Sequence, residues 1–158
     1  MVGFGYDLHR LVEGESLILG GLNIESSIGT LAHSDGDVLL HAIIDAILGS
    51  IGEGDIGEHF PDTDIKNKNI DSKIMLSYTL NLLKAKGFEL VNVDNTIVLE
   101  KPKLSPIKEE IRSSVAQLLG LPNKRVNIKA TTNEKQDSIG KSESIVVYSI
   151  CQVKEITN

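Results

Sequence analysis

The feature that most constrains this chain is an apolar run that begins at Val38. Apolar side chains recur there at helical spacing as far as Ile47, and the run ends at Gly49. Ser34 and Asp35 precede it, and their side-chain oxygens predict a helix N-cap. Because so many positions are apolar, this helix must be covered by other elements. The chain is therefore expected to fold in layers around it.

The same helix carries a line of polar side chains. Asp37, His41 and Asp45 lie one helical turn apart, so they share one stripe of the helix surface. His33 lies just before the helix, where its side chain can lean over the N-terminus. All four histidines fall between residues 9 and 59, which indicates a site in the N-terminal third.

The composition allows one aliphatic core and disfavours several classes of protein. The 158 residues are 41% hydrophobic, but only 4% are aromatic and none is Trp. A net charge of −6 without a basic stripe argues against a nucleic-acid partner. No apolar run approaches the roughly 20 residues that a membrane span needs. Cys151 is the single cysteine, which favours a reducing compartment.

The remaining patterns predict a partial alternation of strands and helices. In chain order these are a strand over 1–7, a hairpin over 17–24, the central helix, a loop over 52–64, a helix over 71–86, a strand over 90–99, a helix opening at Ser105 and Pro106, and strands over 126–131 and 145–153. Residues 25–32 are expected to form a loop. This order predicts an α+β fold, an α/β sandwich in which a mixed β-sheet packs against helices on one face. We expect a single domain over residues 1–158.

Asp7, His9 and His41 form a candidate set of metal ligands. Strand alternation puts Asp7 and His9 on one face if the first strand continues past residue 8. Two imidazoles and one carboxylate suit Zn²⁺ and leave a fourth position for water or substrate. A bound cation would also let an acidic protein hold an anionic ligand. Alternatively, His41 is a hydrogen-bonded helix residue and Asp7 caps the strand end.

Two carboxylates on the central helix are candidates to orient His41. Asp37 or Asp45 can accept a hydrogen bond from the ring nitrogen of His41 that faces away from a metal. The alternative is that both are solvated charges on the helix surface.

A second polar segment follows the strand over 126–131. Thr131 and Thr132 can donate hydrogen bonds to phosphate oxygens, and Glu134 can hold a hard cation such as Mg²⁺ against them. The segment from Lys101 to Pro106 contains two prolines and can form one wall of a pocket. Taken alone, the first segment is better explained as an ordinary transition from strand to turn, and the second is equally well explained as a simple connection between a strand and a helix.

Taken together, these motifs resemble one family. They are Gly5–His9, His33–Asp37 with His41, Asp55–Gly57, Phe60–Asp64 and Lys129–Thr132. In this order and spacing, from about residue 3 to residue 153, the chain is similar to the 2-C-methyl-D-erythritol 2,4-cyclodiphosphate synthases of the non-mevalonate isoprenoid pathway.

The resemblance implies a lyase that catalyses an intramolecular phosphoryl transfer. The substrate would be 4-diphosphocytidyl-2-C-methyl-D-erythritol 2-phosphate, which closes to the 2,4-cyclodiphosphate and releases CMP. Zn²⁺, or another divalent transition metal, would bind Asp7, His9 and His41. A second ion, Mg²⁺ or Mn²⁺, would bind Glu134 together with the substrate.

The resemblance also implies roles for the other site residues. His33 and Thr132 would stabilise the transition state. The residues expected to contact substrate are Asp7, Leu8, His9, His33, Ser34, Phe60, Pro61, Asp62, Thr63 and Asp64 near the metal and the erythritol end, Asp55, Ile56 and Gly57 at the ribose, Leu99, Glu100, Lys101, Pro102, Lys103, Leu104, Ser105, Ala130 and Thr131 around cytosine and its phosphate, and Thr132, Asn133 and Glu134 beside them.

Members of this family are homotrimers with active sites between neighbouring subunits. The resemblance therefore implies a trimer-forming chain whose ribose loop and cytosine wall belong to different subunits. It also implies that the chain binds a small molecule, a cytidine diphosphate derivative, and does not associate with a membrane. We expect a bacterial cytoplasm or, if a transit peptide has been removed, a plastid-type stroma. No secretory signal is expected, because the N-terminal residues lack a basic region followed by an apolar one.

One region departs from many members, which carry an arginine that lines a central cavity for an isoprenoid diphosphate. In the run from Glu134 to Lys141 of this chain, Lys141 keeps the charge but lacks the bidentate fork of arginine, so the resemblance is not extended to that secondary site. Two other functions stay open from the residues. One is a non-catalytic trimeric protein that binds metal and cytidine, and the other is a metal-dependent phosphohydrolase.

Overall fold

Seven strands and five helices alternate along the chain in a computed structural model that describes residues 1–157. The strands are β1 (Val2–Glu13), β2 (Leu17–Leu19), β3 (Leu22–Ile24), β4 (Ile28–Leu31), β5 (Phe88–Val98), β6 (Val126–Thr131) and β7 (Ser144–Glu155). The helices are α1 (Val38–Ser50), α2 (Ile56–His59), α3 (Ser72–Ala85), α4 (Lys108–Leu119) and α5 (Asp137–Gly140), with short 3-10 helices at Ile65–Asn67 and Asn123–Arg125. Within residues 1–157, no helix has both the length and the apolarity to cross a membrane.

The centre of the fold is a five-stranded sheet in the order β4-β1-β7-β5-β6. β5 and β6 are parallel, whereas β1 pairs antiparallel with β4 and β7, and β7 pairs antiparallel with β5. β2 and β3 form the separate hairpin that the sequence predicts. The mixed sheet and its covering helices confirm the predicted α+β architecture.

Helix α1 lies in the core and packs on β1 and β7. It can approach β1 closely because the strand presents glycines beneath it. A Cβ on Gly3 would lie 1.8 Å from the carbonyl oxygen of Ala46, and one on Gly5 would lie 1.9 Å from that of Ala42. Neither position has room for a side chain, so helix and strand touch backbone to backbone.

The opposite face of the sheet presents an apolar surface, which we call the sheet patch. On β1 the side chains alternate, and the members that face away from α1 are 46 to 68% exposed. Aromatic rings make contact between β1 and its neighbour β7, since the ring centroids of Tyr6 and Tyr148 lie 5.5 Å apart. The sheet patch consists of Val2, Phe4, Tyr6, Leu8, Tyr148 and Ile150.

The predicted N-cap of the central helix is wrong. Asp37, rather than Ser34 or Asp35, caps α1, and its carboxylate accepts a hydrogen bond from the backbone N–H of Leu40 at 3.0 Å. The Ser34 hydroxyl instead accepts from the backbone N–H of Gly36. Several cap-forming residues stand in a row here, and the helix begins after the last of them.

Three other predicted boundaries also change. Residues 28–31 are not part of a loop but pair with β1, which is a long-range contact that no local pattern reveals. The loop over 52–64 contains α2, which Asp55 caps through the backbone N–H of Glu58. Helix α4 begins at Lys108, so Pro106 is not its first residue.

Candidate active site

Asp7, His9 and His41 converge on one point at the junction of β1 and α1. Oδ2 of Asp7 lies 3.1 Å from Nδ1 of His9 and 3.1 Å from Nδ1 of His41. One potential ligand atom from each residue lies within 4.8 Å of the other two. The structure thus brings together the three residues that the sequence singled out as metal ligands.

The donor set fits a divalent transition metal. A tetrahedral ion with ligand bonds of roughly 2.0 Å requires about 3.3 Å between ligand atoms, close to the two separations of 3.1 Å around Asp7. Nδ1 of His9 is buried and makes no hydrogen bond. A buried polar atom without a partner is costly, and a shared cation would satisfy it.

The electrostatics of the triad favour an ionised Asp7 carboxylate beside a positive charge at His41. Burial raises the pKa of Asp7, but the neighbouring imidazoles of His41 and His9 outweigh it and hold that pKa below its ordinary value. Burial lowers the pKa of His41, but the hydrogen bond and charge of Asp7, together with the charges of Asp37 and Asp35, outweigh burial and raise that pKa above its ordinary value. The pocket therefore stabilises positive charge next to Asp7.

The second ring nitrogen of His41 points away from the triad towards two serines. Nε2 lies 2.9 Å from Oγ of Ser72 and 3.3 Å from Oγ of Ser34. The Ser72 hydroxyl donates a short hydrogen bond to Oδ1 of Asp35. The prediction that Asp37 or Asp45 orients His41 is therefore wrong.

Asp37 and Asp45 have structural partners of their own. Besides capping α1, Asp37 accepts hydrogen bonds from the backbone N–H groups of Gly20 at 3.0 Å and Gly21 at 2.6 Å. Asp45 accepts from the backbone N–H of Ile56 at 2.8 Å and so ties the start of α2 to α1. Both carboxylates are turned towards backbone donors rather than towards the imidazole of His41.

A cavity of about 370 Å³ opens beside the triad. His33 and Ser34 line it from the segment before α1, and Ile56 and Gly57 line it from α2. Asp62 lines this cavity and also a neighbouring one with Thr63. The other predicted substrate residues in this cavity are Leu8, His9 and Phe60.

Nine other predicted substrate residues line a separate cavity of about 180 Å³ at the ends of β5 and β6. Glu100 joins its two walls, because its carboxylate accepts a hydrogen bond from the backbone N–H of Asn133 at 3.3 Å. Glu134 follows in a left-handed conformation with φ of 50°. The predicted residues that line this cavity are Leu99, Glu100, Pro102, Lys103, Leu104, Ser105, Ala130, Thr131 and Thr132. Apart from Asp7 in the triad and Thr63 in the neighbouring cavity, the predicted residues that line neither this cavity nor the one beside the triad are Asp55, Pro61, Asp64, Lys101, Asn133 and Glu134. Within one chain, the predicted site is thus divided between two cavities.

Several residues of the site carry no signal in the sequence. Ser72 lies at the start of the predicted helix over 71–86, and no local pattern indicates that its hydroxyl contacts His41 from 31 residues away. Lys108 lines the second cavity from the start of α4. The first cavity is completed by Arg10, Leu31, Ala32, Asn67, Ile70 and Met75. Their contribution depends on how distant segments meet, and periodicity does not encode it.

Comparison with known proteins agrees with this geometry. The family model described as the YgbB family matches residues 1–154. This chain belongs to the YgbB family. A relative in Pseudomonas fluorescens, named 2-C-methyl-D-erythritol 2,4-cyclodiphosphate synthase, is 50% identical over 149 residues, which cover 94% of this chain and 95% of the relative. A chloroplastic synthase of Oryza sativa is also 50% identical over 149 residues, covering 94% of this chain and 67% of the relative.

One relative of this chain is much longer. A relative from Aliarcobacter butzleri named bifunctional enzyme IspD/IspF is 50% identical over 152 residues, which cover 96% of this chain but 41% of that protein. The chain thus matches less than half of the bifunctional relative and nearly all of the Pseudomonas one.

Solved structures of similar proteins share the fold. A 2C-methyl-D-erythritol-2,4-cyclodiphosphate synthase in a form bound to CDP superposes with a TM-score of 0.91 at 36% identity, covering 98% of this chain and 100% of that one. A Plasmodium falciparum IspF in complex with CDP gives a TM-score of 0.86 at 32% identity, covering 99% of this chain and 96% of that one.

Proposed function

We propose that this chain is a 2-C-methyl-D-erythritol 2,4-cyclodiphosphate synthase, a lyase of the non-mevalonate isoprenoid pathway. The observation that carries the proposal is the convergence of Asp7, His9 and His41 beside a cavity lined by His33 and Ser34. The chain is also 50% identical to an enzyme of that name along 95% of that enzyme's length.

The reaction is an internal displacement at phosphorus. An oxygen of the 2-phosphate attacks the β-phosphorus of the diphosphate, and the new P–O bond closes the ring. The bond between the β-phosphorus and the bridging oxygen breaks, and its electron pair leaves with CMP. Both reacting groups are anionic, so the barrier is largely electrostatic, and positioning with charge neutralisation is the main requirement. No protein nucleophile is required.

Asp7, His9 and His41 would hold Zn²⁺ or another divalent transition metal, and Glu134 would hold Mg²⁺ or Mn²⁺ together with the substrate. Such ions neutralise phosphate oxygens and keep the reacting groups in line. This requirement is consistent with the formal net charge of −6, because bound cations rather than a basic surface would attract the anionic substrate.

The two cavities would receive opposite ends of the substrate. Ser34 and the segment over 62–64 would bind the erythritol end, with Asp55 and Gly57 at the ribose. The segments over 99–105 and 130–131 would enclose cytosine. His33 and Thr132, from the two different cavities, would stabilise the charge that develops on the transferring phosphoryl group. The CDP complexes of solved relatives support a cytidine nucleotide as the ligand.

We further propose a homotrimer in which a complete site forms between neighbouring subunits. Two observations support it. The residues for the two ends of the substrate line separate cavities within one chain. The sheet patch is an exposed apolar surface that crosses two strands, which is typical of a protein interface. A second and third copy of the chain would cover the sheet patch. They would also bring the cavity beside the triad of one subunit next to the other cavity of its neighbour.

The test is product analysis with the diphosphocytidyl substrate in the presence of Zn²⁺ and Mg²⁺. We expect equal amounts of CMP and the 2,4-cyclodiphosphate. Binding of the substrate without release of CMP would instead identify a non-catalytic binding protein. Release of CMP with a linear product would identify a phosphohydrolase that uses water as the nucleophile. Either of those outcomes would refute the proposed reaction.

A further inference from the structure

A chain of hydrogen bonds leads from the metal triad into the core. Nε2 of His41 lies 2.9 Å from Oγ of Ser72, and that hydroxyl makes a short hydrogen bond with Oδ1 of Asp35. The other carboxylate oxygen of Asp35 accepts a hydrogen bond from the backbone N–H of Ser72 at 3.0 Å. Asp35 therefore holds both the hydroxyl and the backbone of Ser72 at the first turn of α3.

The number of protons available in this series of hydrogen bonds fixes which ring nitrogen of His41 carries a hydrogen. The Ser72 hydroxyl has one proton, and an ionised carboxylate can only accept. The proton of Ser72 must therefore point to Asp35, so Oγ can only accept from His41. Nε2 of His41 then carries a hydrogen, so Nδ1, which lies 3.1 Å from Oδ2 of Asp7, is the ring nitrogen that would give up its proton and bind a metal ion.

Ser72 is placed to act on His41 and not on a substrate. Its side chain is fully buried and is not part of the cavity beside the triad. Ser34, the other hydroxyl near Nε2, is farther away at 3.3 Å, already accepts from the backbone of Gly36 and lines that cavity. The two serines therefore have different surroundings, and only Ser34 is exposed to a bound ligand.

A second set of contacts fixes Asp35 itself. Its backbone N–H donates to the carbonyl oxygen of Ile70 at 3.2 Å, and the backbone N–H of Asn69 donates to the carbonyl oxygen of His33 at 2.7 Å. The segment before α1 is thus attached to the segment before α3 on both sides of Ser34. Asp35 and Ser72 consequently keep their positions through backbone contacts that do not involve His41.

We propose that Ser72 and Asp35 are positioning residues for the metal ligand His41: they keep the hydrogen on Nε2, orient the ring and so strengthen metal binding at Nδ1. The inference depends on the metal site of the proposed function, but it concerns residues to which that function gives no role. Partners of this kind orient a ligating histidine and raise its basicity.

The test compares Ser72→Ala with Ser50→Ala in the full-length protein. Ser50 is also a buried serine, but its hydroxyl donates to the carbonyl oxygen of Ile47. Zn²⁺ affinity is measured by competition with a chromophoric chelator, without substrate. We expect Ser72→Ala to bind Zn²⁺ roughly 10- to 100-fold more weakly than the wild type, and Ser50→Ala to match the wild type. Equal affinity in the two variants would overturn the inference.

Two further measurements separate positioning from a general structural role. In ¹⁵N NMR spectra of the zinc-loaded wild type, we expect the hydrogen of His41 on Nε2, and a hydrogen on Nδ1 would contradict the assignment. Zinc at saturating concentration should restore CMP release by Ser72→Ala. A defect that persists with unchanged zinc affinity would also overturn the inference.

If Ser72→Ala does not fold, Asp35→Asn provides the same comparison. It preserves the shape of the side chain but removes the charge that orients the Ser72 hydroxyl, so zinc affinity should again fall relative to Ser50→Ala. Failure of the wild type itself to bind Zn²⁺ would contradict the metal site of the proposed function. A wild type that binds zinc with the same affinity as Asp35→Asn would contradict only the role of the Asp35–Ser72 pair.

Discussion

Oδ2 of Asp7 lies 3.1 Å from Nδ1 of His41, although 34 residues separate them along the chain. One residue is on the long strand β1 and the other is in the buried helix α1, so both side chains project from regular elements. Sites built on such elements hold their geometry better than sites on loops. The three candidate metal ligands can therefore meet without a rearrangement of the backbone.

Replacement of His41 by Ala should remove the metal and the activity together. The remaining Asp7 and His9 give only two ligands, fewer than the three that catalytic zinc sites usually use. We expect the zinc content to fall from one equivalent to near zero and CMP release to fall by at least about 100-fold. Elemental analysis and a CMP assay measure the two effects.

His59→Ala is the matched control for that substitution. His59 contacts the carbonyl oxygen of Glu53 and the hydroxyl of Tyr78, outside the triad. This variant should retain its zinc. A His41→Ala protein that kept a full equivalent of zinc would show that the triad is not the metal site.

Mixing two inactive variants should restore activity if the site is shared between subunits. His41→Ala damages the first cavity and Thr132→Ala the second, so a junction between unlike subunits can contain both intact halves. Random exchange in a cyclic trimer makes about a quarter of the sites complete. The CMP assay after subunit exchange measures this recovery. Mixed trimers that remain inactive would indicate that one chain supplies both halves of each site.

The sheet patch should be required for assembly. Ile150→Glu places a charge within that patch, whereas Ile74→Glu places the same charge on α3; the two isoleucines are 48% and 60% exposed. A buried unpaired charge is costly, so Ile150→Glu should lower the molar mass in solution from that of a trimer to that of a monomer. Light scattering coupled to size-exclusion chromatography makes the measurement. The mass of Ile74→Glu should stay unchanged, and equal masses for both variants would argue against this interface.

Asp37 should make the free energy of unfolding depend on pH. Burial raises its pKa from 3.8 to about 6, although backbone N–H groups of Gly21, Leu40 and Gly20 oppose the shift. Between these values the folded state holds a proton that the unfolded state has lost. The contribution of this group to the free energy of unfolding is therefore fully present below the lower value, and it declines as the pH rises towards the higher one.

Asp37→Asn removes this titration and isolates the effect. The free energy of unfolding of the wild type, relative to that of Asp37→Asn, should fall by up to about 3 kcal/mol from pH 4 to 6 and then level off. Urea denaturation of both metal-free proteins measures the difference, in which the titration of the shared histidines cancels. A difference independent of pH would contradict the raised pKa.

Gly5→Ala should strongly destabilise the fold. Its Cβ would lie 1.9 Å from the carbonyl oxygen of Ala42, so the strand or the helix would have to move. We expect a loss of at least about 3 kcal/mol in the free energy of unfolding. Gly49→Ala is the control, since its Cβ would have no neighbour nearer than 3.9 Å; it should stabilise the helix by up to about 1 kcal/mol. Denaturant titrations of both variants provide the values.

Local patterns in the sequence were sufficient for most of the fold and for the triad. Strand alternation puts Asp7 and His9 on one face, and helical spacing puts His41 in the buried helix, because these periodicities are properties of single elements. The pairing of β4 with β1 and the contact between Ser72 and His41 depend on how distant segments meet. The N-cap at Asp37 was missed for a related reason, since its carboxylate is fixed partly by the distant β2–β3 turn.

The glycines beneath α1 have a consequence for how the sequence can vary over evolution. Because Gly3 and Gly5 let main chain rest on main chain, the spacing between the strand and the helix does not depend on the size of core side chains. Substitutions among the aliphatic residues around α1 can therefore accumulate without changing the distance between Asp7 on the strand and His41 on the helix. The preference of the centre for a particular ion would then be inherited with the backbone.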